Sequence, residues 1–193
     1  MELVTAVEKI SELYFPLSQA CKNDIEAAAQ IIAIEKTTLL VKEGQIAQNM
    51  YFICKGSARA YYLKNGKDIT DWFAFENDFI TAINSFFMDI PSPHFIEVNE
   101  NSVLLKLTKA NITKLSEKHL DFERMGNLII TKTMLQLQQR IVSLQFETAQ
   151  QKYENLLDIH PDITLKTQLS HIASYLGITL ETLSRIRKLK SRI

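Results

Sequence analysis

The sequence predicts an α+β protein: short helices, a small antiparallel barrel or β-roll, one long helix, and a terminal helix-turn-helix. Three observations predict it. Between Thr37 and Leu107 the chain is rich in aromatic and β-branched residues and is punctuated by turn signals. From about Asp121 to Ala149 apolar residues recur at helical spacing with no proline. From Thr167 to Lys188 two short periodic segments flank a glycine, and the second is basic.

Glu2 to about Ile34 carries helical spacings, with Val4, Val7 and Leu13, then Ile25, Ala28, Ala29 and Ile32, interrupted at Pro16. Short helices flanking the roll are expected there. The candidate strands are Leu39 to Lys42, Met50 to Cys54, Ser57 to Leu63, Thr70 to Phe75, Phe95 to Val98 and Val103 to Leu107. Glu43-Gly44, Lys55-Gly56, Asn65-Gly66, Glu76-Asn77-Asp78 and Pro91-Ser92-Pro93 separate them. Asn65-Gly66 is a strong hairpin signal, because both residues tolerate the positive φ of the favoured two-residue loop. Strands this short bury enough surface only by closing on themselves.

In the long helix Leu128, Leu135 and Val142 are spaced by seven, as are Ile130, Leu137 and Leu144, while Met125, Ile129, Met134 and Ile141 widen the stripe. At 1.5 Å per residue it would be about 40 Å tall, more than one small domain can cover. Pairing with a second subunit is therefore expected, giving a homodimer. Lys132 and Gln139 interrupt the seam and keep open the alternative that the helix packs wholly on its own roll. His160-Pro161-Asp162 marks the next boundary, with Tyr153, Leu156 and Leu157 packing the junction. The expected division is residues 1–120, 121–150 and 151–193.

The first helix of the terminal module would run from Gln168 to about Tyr175, capped by Thr167, with Leu169, Ile172, Ala173 and Leu176 on one face. Gly177 takes the turn and Thr179 caps the second helix. Ile178, Leu183 and Ile186 would face the first helix. Leu180, Glu181, Thr182, Ser184, Arg185 and Lys188 are left to meet something else. Arg185 can give two hydrogen bonds to guanine, Glu181 can accept from cytosine, and Thr182 and Ser184 can reach phosphates or base edges. Thr167, Gln168 and Thr179 complete the expected DNA-binding set. The alternative is a plain helical hairpin with a solvated polar face.

Charge favours double-stranded DNA as the partner. The chain is neutral overall, yet Leu165 to Ile193 holds Lys166, Arg185, Arg187, Lys188, Lys190 and Arg192 against Glu181 alone. Such a patch releases counterions on meeting phosphates.

Several classes are excluded. An apolar fraction of 46% is that of a globular chain rather than a disordered one. No apolar run reaches membrane-spanning length and the amino terminus lacks a secretory pattern, so no membrane association and a cytoplasmic location are expected. Cys21 and Cys54 lie far apart, and His94, His119, His160 and His171 show no ligand spacing, so no metal is expected. There is no nucleophile elbow, phosphate-binding loop or other catalytic constellation, which argues against an enzyme.

The order of parts resembles the Crp/Fnr family of bacterial transcription regulators over nearly the whole chain. The roll signature stands as Gly44-Gln-Ile-Ala-Gln-Asn-Met-Tyr-Phe-Ile-Cys-Lys-Gly56-Ser-Ala-Arg-Ala-Tyr, and the recognition element as Ile172-Ala-Ser-Tyr-Leu-Gly-Ile-Thr-Leu-Glu-Thr-Leu-Ser-Arg-Ile-Arg187. The resemblance implies a cyclic-nucleotide-binding-like roll of the double-stranded β-helix type, a dimerisation helix and a winged-helix-like DNA module, with RNA polymerase as a further partner. It places Glu181 and Arg185 on base-reading positions. Leu180 stands where cyclic-AMP-responsive members carry an arginine, so the preferred operator should differ from theirs.

The same resemblance implies an effector site, but with departures. Family members that bind cyclic nucleotides hold the phosphate with a Gly-Glu pair and a later Arg-Ser or Arg-Thr. Here Thr81-Ala82 and Ser92-Pro93 occupy those places, and no arginine lies from Asn77 to Phe95. A buried phosphodiester without its guanidinium is costly, so cyclic AMP is expected to bind weakly or not at all, with Arg59 or His94 the residues that could compensate. Phe79, Ile80, Thr81, Ala82, Ile83, Ser85, Phe86 and His94, with Arg59, would line a pocket for an unidentified small molecule, or the aromatics simply fill the roll. The cysteine cluster of the iron-sulfur oxygen sensors is missing, no ligand pair suggests haem, and no cofactor is expected. With Ile193 following so soon after the recognition element, the family's final wing is expected to be absent, leaving Lys188, Lys190 and Arg192 to contact the DNA backbone. A regulator with an effector-blind roll, and a ligand-binding or interaction protein that never touches DNA, are the competing readings.

Overall fold

The computed structural model describes residues 2–190. Two helices, α1 (Leu3–Leu13) and α2 (Gln19–Ala28), precede the strands β1 (Gln30–Ile34), β2 (Leu39–Val41), β3 (Asn49–Lys55), β4 (Ser57–Lys64), β5 (Lys67–Phe75) and β6 (Phe79–Ile80). A short α3 (Ile83–Met88) leads to β7 (Phe95–Val98) and β8 (Ser102–Thr108). Six helices follow: α4 (Lys109–Lys118), α5 (Leu120–Phe146), α6 (Ala149–Ile159), α7 (Ile163–Lys166), α8 (Leu169–Leu176) and α9 (Leu180–Lys190).

The strands form two antiparallel four-stranded sheets, ordered β1-β8-β3-β6 and β2-β7-β4-β5. Apart from the β4–β5 hairpin, successive strands pass between the sheets, so the pair closes into the expected roll. Lys64 pairs with Lys67 across Asn65-Gly66, whose φ values of 53° and 74° are those of the predicted two-residue hairpin. Gly56 is required on two counts: its φ is +100°, and a Cβ there would lie 2.3 Å from Ser102 Oγ.

Two expectations are corrected. The helical reading up to Ile34 fails after Ala28, because Gln30–Ile34 pairs residue for residue with β8; the long-range ladder overrides a local spacing that β-branched isoleucines satisfy equally well. The long helix does not run unbroken to Ala149. It ends at Phe146, and Thr148 restarts a new helix through a capping box with Gln151. Neither β6 nor the helices α3 and α4 were anticipated.

Three clusters make the core. Alternate residues of β3 serve two of them. Phe52 and Cys54 pack with α1, α2 and α5, including Val7, Ile10, Ile25, Phe122 and Met125. Tyr51 and Ile53 point into the roll with Ala58, Ala74, Ile80, Phe86, Ile96 and Leu104. Being buried on both faces, β3 lacks the polar alternation of a surface strand. The third cluster joins Phe73 and Phe75 of β5 to Tyr153, Leu156, Ile163, Ile172, Ala173, Leu176 and Leu183. The C-terminal helices therefore sit directly on the outer face of the β4–β5 hairpin.

Candidate functional site

The terminal module is built around Gly177. Its amide donates to the Ser174 carbonyl and that of Ile178 to the Ala173 carbonyl, both at 3.0 Å, which is a Schellman ending with glycine in the left-handed region at φ +66°. Thr179 Oγ1 then accepts from the Thr182 amide (3.2 Å) and caps α9. Ile172, Ala173, Leu176 and Leu183 are buried between the helices, with Ile178 and Ile186 half-buried beside them.

Opposite this seam, α9 turns Leu180, Glu181, Arg185 and Lys188 to the surface, with Thr182 and Ser184 half-exposed. Glu181 and Arg185 are four apart and so share a face. Hydrogen bonds from its own backbone amide and from Thr179 hold the Glu181 carboxyl below its ordinary range, so it is an anion and an acceptor at neutral pH. Thr167 does not cap α8. It closes α7 in extended conformation with its side chain buried, while exposed Gln168 takes the N-cap position without a side-chain bond, because Ile163–Lys166 forms a helical turn of its own. Arg192, expected at the DNA backbone, lies outside the described residues.

The residues expected to line an effector pocket are not brought into one chamber. Ile80, Ala82 and Phe86 are packed inside the roll. Ser85 is buried, its Oγ accepting from the Ala47 amide (2.8 Å) and donating to the Gln45 carbonyl (3.3 Å). Thr81 donates to the Asn49 carbonyl. Phe79 faces the helical side, edge-on to Tyr14 and tilted against Phe52, while Ile83 is exposed. Within the roll Ile53, Ala58, Ala74, Ile96, Val98 and Leu104 are each 0–1% exposed, which leaves no water-sized space beside them. Ser92, where the family's arginine pair would begin, is buried and exchanges backbone bonds with Gly44 and Gln45.

Arg59 cannot stand in for the missing phosphate ligand. Its guanidinium gives two parallel bonds to Asp68 (2.6 and 2.7 Å), two to Glu97 (3.0 and 2.7 Å) and one to Thr70 Oγ1 (3.1 Å), and it stacks on Tyr61 at 3.9 Å. All five donors are committed to the protein. His94 is drawn to Asp71 instead, 3.4 Å away, and holds that carboxyl below its usual range.

This ion-pair group touches the helix-turn-helix. His171 Nε2 is 3.8 Å from Asp68, and Ser174 Oγ accepts from the Thr70 amide (3.0 Å) while donating to the Asp68 carbonyl (3.3 Å). Arg140 of α5 donates to the Tyr175 carbonyl at 3.1 Å and lies over the Tyr175 ring. Beside it a cleft of about 670 Å³ opens between β5, α5, α6 and the end of α8, walled by Trp72, Phe75, Arg140, His160 and Tyr175. Sequence reasoning found neither this cleft nor a second grouping at the far end of the domain, where Cys21, His119 and Asp121 converge. Both join residues too distant in the chain for any spacing rule.

Residues 31–119 match the cyclic nucleotide-binding domain. No curated sequence matches the chain. Among solved structures, FixK2 from Bradyrhizobium japonicum superposes with a TM-score of 0.73 at 18% identity, covering 85% of each chain. A protein from Eubacterium rectale assigned to the crp/fnr family of transcriptional regulators gives 0.71 at 19% identity, covering 93% of this chain and 88% of that one. The catabolite activator protein of Thermus thermophilus gives 0.57 at 12%, covering 95% and 87%. At these identities the likeness is one of fold: antiparallel roll, long helix and terminal helices in the same order. Among the described residues no helix is long and apolar enough to cross a membrane.

Proposed function

We propose that this chain, a cyclic nucleotide-binding-type roll joined to the helical region of a Crp/Fnr-like fold, is a sequence-specific, homodimeric DNA-binding transcription regulator controlled by an unidentified small molecule. The observation that carries the reading is the exposed face of α9, where Glu181, Arg185 and Lys188 stand on a helix fixed by the Gly177 turn and the Thr179 cap. A guanidinium and a carboxylate one turn apart match the donor and acceptor pattern of a major groove. Selection from randomised oligonucleotides at low salt should enrich one motif, and Arg185→Ala should relax it; a wild-type chain that enriches nothing refutes the assignment.

The dimer rests on α5. Leu128, Met134, Leu135, Ile141 and Val142 are each 46–60% exposed along one stripe, an apolar surface a lone chain does not keep in water. The opposite side of the helix carries Arg140 and Leu144, which contact the helix-turn-helix. Leu135→Glu should convert the sedimenting dimer to monomers.

A regulator whose roll answers to no small molecule is the second reading, favoured by the filled interior and the committed Arg59. A DNA-shift assay supplemented with fractionated cell metabolites separates the two, since an effector-blind roll leaves every fraction without influence.

A further inference from the structure

We propose that Cys21, His119 and Asp121 form a binding site for one divalent cation of the zinc class, at the elbow where α2 meets the α4–α5 joint. One ligand atom from each lies within 4.8 Å of the other two. Ligands around a tetrahedral zinc are roughly 3.3–3.8 Å apart, so closure of up to about 1.5 Å completes the set. Thiolate, imidazole and carboxylate together suit a borderline-soft ion; magnesium and calcium take oxygen ligands alone. Three protein ligands leave the fourth position to water.

The surroundings orient each ligand. His119 Nε2 is 2.6 Å from Asp24 Oδ2, an oxygen that is also ion-paired with Lys118 Nζ. An ionised carboxylate only accepts, so Nε2 carries the proton and the lone pair of a neutral ring sits on Nδ1, the nitrogen left for a cation. A carboxylate behind a ligating imidazole is the usual way proteins fix such a ring. Asp121 is held by the Ser18 amide on Oδ2 (2.6 Å) and the Phe122 amide on Oδ1 (3.0 Å). Cys21 lies in the first turn of α2, whose aligned amides favour negative charge on sulfur. Metal binding replaces the thiol proton: the sulfur–hydrogen bond breaks, the sulfur–metal bond forms, and one proton leaves to solvent.

His119 both ends α4 and begins α5, and Asp121 lies in the first turn of α5. The ion would thus tie α2 to the root of the long helix. The site stands on its own residues and does not depend on DNA binding.

The test is titration of the reduced, metal-free full chain with Co²⁺. One equivalent should produce an intense thiolate-to-cobalt charge-transfer band that Zn²⁺ abolishes, with one proton released per ion in calorimetry across buffers of different ionisation heat. Cys21→Ser should remove the band, and Cys54→Ser should keep it. His119→Gln, which retains the thiol should Cys21→Ser fail to fold, should weaken binding at least tenfold, and Asp24→Asn roughly tenfold. No band in the wild type overturns the site, as does adventitious metal only, meaning a band or binding stoichiometry that survives both Cys21→Ser and His119→Gln.

Discussion

Ser174 of α8 and Thr70 of β5, 104 residues apart in the chain, are joined by a 3.0 Å hydrogen bond from the Thr70 amide to the Ser174 hydroxyl. Thr70 is fully buried, so this bond satisfies a strand amide that has no access to water. Ser174→Ala would leave that amide without its partner, a loss of about 1–3 kcal/mol. The expected outcome is a lower melting temperature with faster hydrogen exchange at Thr70. Unchanged exchange would show that the helical region is held to the roll by other contacts.

Gly177→Ala should destabilise the terminal module. The residue is held at φ +66°, where an L side chain costs about 1–2 kcal/mol, and the new Cβ would meet Leu144 Cδ2 at 3.1 Å. Gly177→Asn should be milder in its backbone cost, since asparagine tolerates this conformation. Equal denaturation midpoints for wild type and Gly177→Ala would contradict the geometry.

Arg59 gives a prediction about ligands and one about stability. Calorimetric titration with cyclic AMP or cyclic GMP should give no binding at micromolar concentration, because the buried Arg59 guanidinium is spent on Asp68 and Glu97. Arg59→Met strands those two carboxylates and should cost about 3 kcal/mol in urea denaturation. Micromolar affinity for either nucleotide would be incompatible with this arrangement.

The roll–helix junction should weaken in mild acid. Burial is the main cause that lowers the pKa of both His160, stacked on Phe75 at 3.9 Å, and His171, beside Asp68 and the Arg59 charge. Asp78 raises that of His160 while Lys166 lowers it, and Asp68 and Glu97 oppose the shift of His171. The unfolded chain therefore takes up protons near pH 6.5 before the folded chain does, and stability present above that pH is lost as it falls below. Asp71 and Asp24, whose values are depressed, lose their contribution only at more acid pH, near and below 4. Melting temperatures from pH 7.5 to 5.5 should decline, and the slope should flatten in His160→Asn and His171→Asn. A flat wild-type profile would contradict the junction's role.

What could be read from the residues follows the range of the forces involved. The Asn65-Gly66 hairpin, the Gly177 ending and the Thr179 cap were legible because each is decided within a few neighbouring residues. β1 was misread because Ile31, Ile32 and Ile34 suit a helix as readily as a strand until β8 is present to pair with them. The fate of Arg59 was invisible for the same reason: Asp68 and Glu97 reach it only once β5 and β7 flank β4. The Cys21, His119 and Asp121 grouping needs α2 laid against the start of α5, which no spacing along the chain announces.

Phe73 and Phe75 belong to the roll by connectivity but to the C-terminal helices by packing. The boundary between roll and terminal helices is therefore not a linker that can be cut. Separated at Glu147, the roll would present two bare aromatic rings to water and the terminal helices would lose part of their floor. A chimaera that exchanges those helices for those of another protein must carry compatible side chains at positions 73 and 75, or it inherits a hole.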